Sequence, residues 1–436
     1  MKLFKIELVF LLCFAVNFQS ANSQDTISLN LNSALQYALK NNTNIVIAKN
    51  KVYRSEFGLK EAKGEKFPKL FFNANYNRNI SLPVIFFSEN NIPVKLGSEN
   101  DFSTSLTMNM PLFSKHNFYT ENLAHNTAKL QNEIYSGTKQ SIINATKKAY
   151  FNYLVIQEIS KVQKSRLKNA EEIENDIQKR VQKGTLTDFD LLTAKVQVAT
   201  AKNNLLEAQN NSVLASNQLK LLLGLDREIR LKLTEQIEIT KDELSINELK
   251  GELFENNSII KQLNIDMKIS EDQLKLTQAA YFPTLHILGS YNYQAQASDF
   301  NFSNYNWFKT SLIGLQLQYS IFNGNVTKNK IQQAEILKKN AEEEKNYKQS
   351  EFQLNLYELF SKLNFSKQKV EVQNENMNLT SEALSLAKKR YKLGVGTFLE
   401  VNDAELSHTQ ARLNWLQAIL SYKLAYYDYQ LIIGKE

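Results

Sequence analysis

Two acidic residues, Asp190 and Glu400, hold equivalent places in near-copies of one phrase, "KRVQKGTLTDFDLLTAK" at 179–195 and "KRYKLGVGTFLEVNDAE" at 389–405. Asp403 follows Glu400 by one helical turn. Carboxylates just inside a helix N-terminus are favoured by the helix dipole alone. Gathered around a pore mouth, they would instead attract cations and hold divalent metals weakly. The same phrases carry Gly184 and Gly394, suited to ending a helix, and Thr187 and Thr397, suited to capping the next one. Covalent and acid–base chemistry finds less support. The histidines, His116, His125, His286 and His408, are dispersed and lack metal-ligand spacing such as HExxH. His408 falls on an apolar helical stripe and reads as a packed interface residue. The chain has no Gly-rich phosphate loop, nucleophile elbow or candidate cysteine nucleophile. It is read as a non-enzyme with no cofactor and no metal site.

The duplicated phrase belongs to a longer repeat. Gly394 minus Gly184 is 210, and Gly434 minus Gly224 is again 210. Nearer the start, Asn41-Asn42 matches Asn256-Asn257, Pro68 matches Pro283 and Tyr76-Asn77 matches Tyr291-Asn292, each at a shift of 215. Each copy therefore has the order helix, two strands, very long helix, turn, helix. The expected organisation is a first repeat over 24–224, a linker over 225–243 and a second repeat over 244–436.

Strands are expected at about 68–80, 101–113, 283–296 and 307–322. Leu70, Phe72, Ala74, Tyr76 and Ile80 alternate with Phe71, Asn73, Asn75, Asn77 and Asn79. Phe102, Leu106, Met108, Met110 and Leu112 alternate with Asp101, Ser103, Ser105, Thr107 and Asn109. The second copy sets Leu285, Ile287, Tyr291 and Tyr293 against Thr284, Ser290, Asn292 and Gln294. Its last strand sets Ile313, Leu315, Leu317 and Tyr319 against Gly314, Gln316, Gln318 and Ser320. Period-two alternation fits a half-buried sheet face, and equally a membrane barrel with lipid outside and water within. Trp307, in the aromatic loop "FNFSNYNW", suits an interfacial anchor or a surface loop.

Proline-free runs over roughly 115–182 and 326–392 predict helices on the order of 100 Å long. Such helices need partners in a coiled coil or a ring of helices. On the first returning helix one stripe runs through Leu191, Ala194, Val198, Ala201, Leu205, Ala208, Ala215, Leu219 and Leu222. Shifted by 210, it becomes Val401, Ala404, His408, Ala411, Trp415, Ala418, Tyr422, Ala425, Tyr429 and Ile432. A weaker second stripe, Leu192, Val196, Ala199, Leu206 and Val213, suits a helix with neighbours on both sides.

The N-terminus, "MKLFKIELVFLLCFAVNFQSANSQD", places Lys2 and Lys5 before the apolar run Leu8–Val16, with Ala21-Asn22-Ser23 as a cleavage site. Residues 1–23 read as a secretory signal peptide, and the single cysteine, Cys13, leaves with it. No later segment is apolar over enough residues to be a transmembrane helix. The signal peptide, the scarcity of other core strands and the lack of cysteine favour the barrel. The formal net charge of +7 comes from lysines scattered among acids, which excludes a nucleic-acid patch as the leading reading.

Signal peptide, duplicated layout and paired Gly turns together resemble the TolC-like outer membrane efflux proteins, over the whole mature chain. The resemblance implies a mainly α protein with β: a homotrimer with a helical barrel in the periplasm and a twelve-stranded transmembrane β-barrel, four strands per chain. It implies an outer membrane exit duct of a tripartite efflux pump or type I secretion system. The implied partners are a periplasmic adaptor, an inner-membrane RND or ABC transporter and outer membrane lipid. Carried over by position, the gate residues at the tunnel mouth are Asp190, Glu400 and Asp403, with Tyr391 beside the turn. The turns at Gly184, Thr187, Gly394 and Thr397 become adaptor-docking points. The chain departs from the family's gate at Gly396, where the best-known member carries an arginine. The competing reading is a secreted periplasmic coiled-coil adaptor or scaffold, although such an adaptor usually has one hairpin, and this chain has two.

Overall fold

The computed structural model describes residues 26–86, 93–237 and 257–434. The signal peptide, Cys13 and part of the 225–243 connection lie outside them. Among the described residues the order is β1 (Thr26–Leu29), α1 (Leu31–Asn41), α2 (Thr43–Gly64), β2 (Lys69–Arg78), β3 (Val84–Phe86), β4 (Pro93–Lys95) and β5 (Asn100–Phe113). Then come α3 (Lys115–Gln182), α4 (Asp188–Leu223), β6 (Arg230–Leu233), α5 (Ser258–Gln278), β7 (Thr284–Ala297), β8 (Phe308–Gln318), α6 (Val326–Lys392) and α7 (Phe398–Ile432).

The four long strands form one antiparallel sheet in the order β2-β5-β7-β8. Pairing sorts the side chains by chemistry. One face carries Phe72↔Leu106↔Tyr291 and Leu70↔Met108↔Gly289↔Ile313. The other carries Asn73↔Ser105↔Asn292↔Thr310 and Asn75↔Ser103↔Gln294. A row of amides and hydroxyls suits contact with water; in the apolar row opposite, Phe72, Ile313, Leu315 and Leu317 are all exposed. Among the described residues, both edge strands, β2 and β8, have one unpaired side.

Three details differ from the expected alternation. The register slips between Pro111 and Phe113, so Phe113 rather than Leu112 pairs with Leu285 on the apolar face. Proline has no N–H to give the ladder, and a bulge there is its usual consequence. Strand β8 stops at Gln318, leaving Tyr319 and Ser320 beyond it, and β2 stops before Ile80. Short strands also arise where alternation gives no signal: β1 pairs in parallel with β6, and β3 with β4 as a hairpin.

Below the sheet, α3 is the hub. It packs against α1, α2, α4, α5 and α7, while α6 packs against α5 and α7. The layer toward the turns thus runs α4, α3, α7, α6. Its core includes Leu154, Val155, Leu363, Leu416, Ile419 and Tyr422. A second core around Leu29, Tyr150, Tyr153, Leu219 and Leu223 fixes the β1/β6 pair. Tyr150 Oη donates to the Leu29 carbonyl at 3.0 Å, and burial pushes that phenol up to about 12.

The repeated asparagines explain how each copy closes on itself. Asn42 Oδ1 accepts from Asn44 N at the start of α2, while its Nδ2 donates to the Leu222 carbonyl at 2.9 Å. Asn257 does the same for α5, with Nδ2 on the Ile432 carbonyl at 2.9 Å. One side chain caps one helix start and satisfies one of the orphan carbonyls at another helix end. Gly224 ends α4 at φ 66°, and a Cβ there would meet the Asn41 carbonyl at 2.7 Å.

Candidate functional site

The two hairpin turns lie at the far end of the long helices from the sheet. Helix α3 ends with Gly184 at φ 73°, and α6 with Gly394 at φ 77°. At each, the residue after the glycine donates back across the turn: Thr185 N to the Arg180 carbonyl at 2.9 Å, Val395 N to the Arg390 carbonyl at 3.1 Å. Those bonds close the last carbonyls of the outgoing helix as a Schellman turn does. Thr187 and Thr397 then cap the returning helices, accepting from the N–H groups of Asp190 and Glu400 at 3.3 and 3.2 Å.

From this common frame the acids diverge. Asp190 turns back on its own cap, accepting from Thr187 N at 2.9 Å and from Thr187 Oγ1 at 2.7 Å. Those bonds hold its carboxyl below the usual aspartate range. Glu400 turns to the outgoing helix, 3.6 Å from Arg390 Nε. Asp403 is exposed on the same helix. Gly396 lies close under α6: a Cβ there would meet Arg390 Cβ at 3.0 Å and Tyr391 N at 3.1 Å. A side chain at 396 would therefore need these neighbours to give by a few tenths of an ångström.

Tyr391 reaches across to the other hairpin. Its Oη donates to Asp176 Oδ2 of α3 at 3.3 Å, and Arg180 Nε holds the same oxygen at 2.9 Å. The Arg180 guanidinium also covers the Tyr391 ring, 4.8 Å from its centroid. Burial pushes the Tyr391 phenol up; Arg180 opposes this and Asp176 reinforces it. Asp176 and Arg180 were not singled out in the sequence. Their spacing of one helical turn is a visible signal, but it does not say that a tyrosine of another helix completes the group.

The other sequence candidates lie far from the tips in function. His408 Nδ1 is 3.5 Å from Thr380 Oγ1, an α6–α7 contact on the apolar stripe. His286 Nδ1 is 3.0 Å from Asn109 Oδ1 on the polar face of the sheet. Trp307 stacks on Tyr293 with centroids 4.7 Å apart, beside the Phe102, Phe302 and Tyr305 cluster at the outer end of the sheet. Among the described residues, no group of His, Cys, Asp and Glu is arranged to hold a metal ion, and no helix is long and apolar enough to cross a membrane.

A two-copy layout, a four-stranded sheet with one apolar and one amide-rich face, and paired tips are what comparison must account for. The family model described as "Outer membrane efflux protein" matches residues 34–225 and 249–435. The chain belongs to the outer membrane efflux protein family. It is 22% identical over 389 residues to the outer membrane protein TolC of Escherichia coli (strain K12), covering 86% of this chain and 76% of TolC. The outer membrane protein VceC of Vibrio cholerae shares its fold, with TM-score 0.76 at 17% identity, over 93% of this chain and 96% of VceC. The structure of CusC superposes with TM-score 0.77 at 17% identity, over 97% and 96% of the two chains. As an outer membrane efflux protein, the chain sets its sheet in the outer membrane and its helices in the periplasm. Family membership favours the duct over the secreted adaptor or scaffold.

Proposed function

We propose that three copies of the chain close into one exit duct, with the helical tips as its gate. The observation that carries this is incompleteness on matching sides. Strands β2 and β8 each present an unpaired edge, and the apolar face between them is uncovered. Pairing β8 of one copy with β2 of the next satisfies both edges without a new fold. Two copies would give eight strands, whose side chains nearly fill a barrel; three give twelve, which leaves a channel. The apolar face then meets outer membrane lipid, and the Asn, Ser, Thr and Gln face lines water.

In this reading each protomer is two repeats, 24–224 and 244–436, joined through 225–243. Six hairpins ring the periplasmic mouth. A periplasmic adaptor docks at the turns around Gly184, Thr187, Gly394 and Thr397, and an RND or ABC transporter in the inner membrane delivers the cargo. The gate residues are Asp190, Glu400, Asp403 and Tyr391. Their geometries assign them different parts. Asp190 is committed to its cap, and the Glu400 charge is partly offset by Arg390. Asp403 is exposed, so it contributes most to a negative mouth. Tyr391, through Asp176, ties one hairpin to its neighbour.

Planar-bilayer conductance tests the gate. Glu400→Ala combined with Asp403→Ala is expected to lower cation selectivity and weaken block by divalent cations. Assembly should stay nearly intact, since exposed acids at helix ends contribute only about 0.3–1 kcal/mol each. Unchanged selectivity and block would make these acids caps only and place the constriction elsewhere in the tube.

A further inference from the structure

Above the mouth the two hairpins share a second polar tie, and this one is buried. Glu405 lies on α7 two positions past Asp403 and is only 7% exposed. Asn169 Nδ2 of α3 donates to its Oε1 at 2.8 Å. Lys388 Nζ of α6 is 2.9 Å from its Oε2, an ion pair by distance rather than a well-aligned hydrogen bond. Arg166, one turn before Asn169 and 6% exposed, donates to Gln197 Oε1 of α4 at 3.3 Å. Arg166, Ala194, Gln197, Phe398, Asn402 and Glu405 enclose a cavity of about 10 Å³, the size of a single water site. Four helices thus converge on one buried cluster.

Burial alone would raise the Glu405 pKa, but Asn169, Lys388 and Arg166 together hold it below the usual glutamate range. The group is a charged carboxylate in a buried seam. Burial pulls Arg166 down, and Glu405 opposes that. A buried charge left without any partner is strongly unfavourable, so a movement of the hairpins must leave each charge one. The duplicate hairpin has no counterpart. At a shift of 210, Glu405 corresponds to Lys195, which is exposed, and Lys388 corresponds to Gln178.

The partners divide cleanly between the hairpins. Glu405 and Lys388 both belong to α6/α7, and Arg166 and Gln197 both belong to α3/α4. Within this cluster, among the described residues, the Asn169 hydrogen bond and the Arg166 charge are what cross from one hairpin to the other. If the hairpins part, Glu405 keeps Lys388, Arg166 keeps Gln197, and water can enter at the seam. Both arrangements leave each charge a partner, which is what a releasable contact requires.

We propose that Glu405 is a positioning residue of the gate: through Asn169 and Arg166 it sets the distance of α7 from α3 above the mouth, and its release lets the second hairpin move. This rests on reading the tips as the gate. The test is single-channel recording from the full-length assembly in planar bilayers, beside its thermal dissociation. Glu405→Gln and Asn169→Ala, which weaken the crossing tie, are expected to raise mean conductance roughly twofold or more by shifting population toward the open state. Lys388→Gln, which leaves the crossing bond in place, is expected to conduct as the unaltered protein does. A merely structural cluster would lower the dissociation temperature in all three and leave conductance unmoved, which would overturn the proposal. If Glu405→Gln does not assemble, Asn169→Ala decides on the same criterion. A conductance that changes with Tyr391→Phe but with neither crossing variant would keep the gate and remove Glu405 from it. Failure of the unaltered chain to conduct at all would overturn the duct and this inference together.

Discussion

Helices α4 and α7 hold equivalent places in the two sequence copies, yet they live in different surroundings. Helix α7 lies between α3 and α6, and its stripe of Val401, Ala411, Ala418, Tyr422, Ala425 and Tyr429 is buried within one chain. Among the described residues, helix α4 packs along its length mainly on α3, with α1 touching its end. Its stripe of Ala194, Ala201, Ala208, Ala215 and Leu219 is buried just as well. Its second stripe is not: Leu192, Val196, Leu206 and Val213 remain 56–61% exposed. The sheet repeats the lesson, since β5 and β7 are paired on both sides and β2 and β8 on one. Similar sequence thus meets different surroundings, because the arrangement leaves one side of each end element open. An apolar stripe that regular on an edge helix marks a surface for another chain.

Truncation of one large aliphatic side chain on each should separate the two helices most strongly. Ile419→Ala, at a fully buried site of α7, should cost about 2–5 kcal/mol, read as a lower unfolding temperature. Leu206→Ala on the open stripe of α4 should leave hydrogen exchange in the α3–α4 core unchanged and instead lower the temperature at which the oligomer dissociates. Equal loss of core protection in both would mean that the stripe is not an intersubunit face.

Overpacking probes what the helices have in common. Ala201→Phe and Ala411→Phe place a ring in seams where both alanines are buried, and each should cost on the order of 1–3 kcal/mol of assembly stability. No change in either would show that the seam can yield.

The caps sharpen the comparison at the tips. Thr187 closes a reciprocal capping box with Asp190, while Thr397 only accepts from Glu400 N. Loss of a cap costs about 0.5–2 kcal/mol, and Thr187→Ala should fall nearer the top of that range than Thr397→Ala. Amide exchange in the first turns of α4 and α7 measures the difference. Equal exchange in the two variants would leave the reciprocal box without effect.

The smallest effect expected is a pH dependence at the first tip. The Asp190 carboxyl is lowered by its Thr187 hydrogen bonds. A depressed carboxyl stabilises above the unfolded pKa, and that contribution is lost as pH falls through the folded value. The protection of the first-turn amides of α4, taken relative to their intrinsic exchange rate at each pH, should therefore fall on acidification below the ordinary aspartate range, and should lose this dependence in Asp190→Asn.

What was legible in the sequence was local or periodic. Gly184, Thr187, Gly394 and Thr397 announce turns because only certain residues fit those backbone positions. The long helices follow from proline-free runs, and the four main strands from alternation. Even the open stripe of α4 was visible as Leu192, Val196, Leu206 and Val213, although not that α4 leaves it bare while α7 lies covered between two helices. Strands β1 and β6 were missed because four residues each, "TISL" and "RLKL", carry too little pattern, and their partners lie about two hundred residues apart. The Leu112 placement failed because a proline-induced bulge resets register. The Tyr391–Asp176–Arg180 group and the Glu405 cluster needed the axial stagger of α3 against α6 and α7, which no single helix encodes.

The open edges make the number of chains the quantity on which the account turns. Native mass measurement of the detergent-extracted complex from the outer membrane reads that number directly. The account predicts three chains per particle, released from the membrane only by detergent. A stable monomer in aqueous buffer, with its β2 and β8 edges and its α4 stripe left bare, would contradict it.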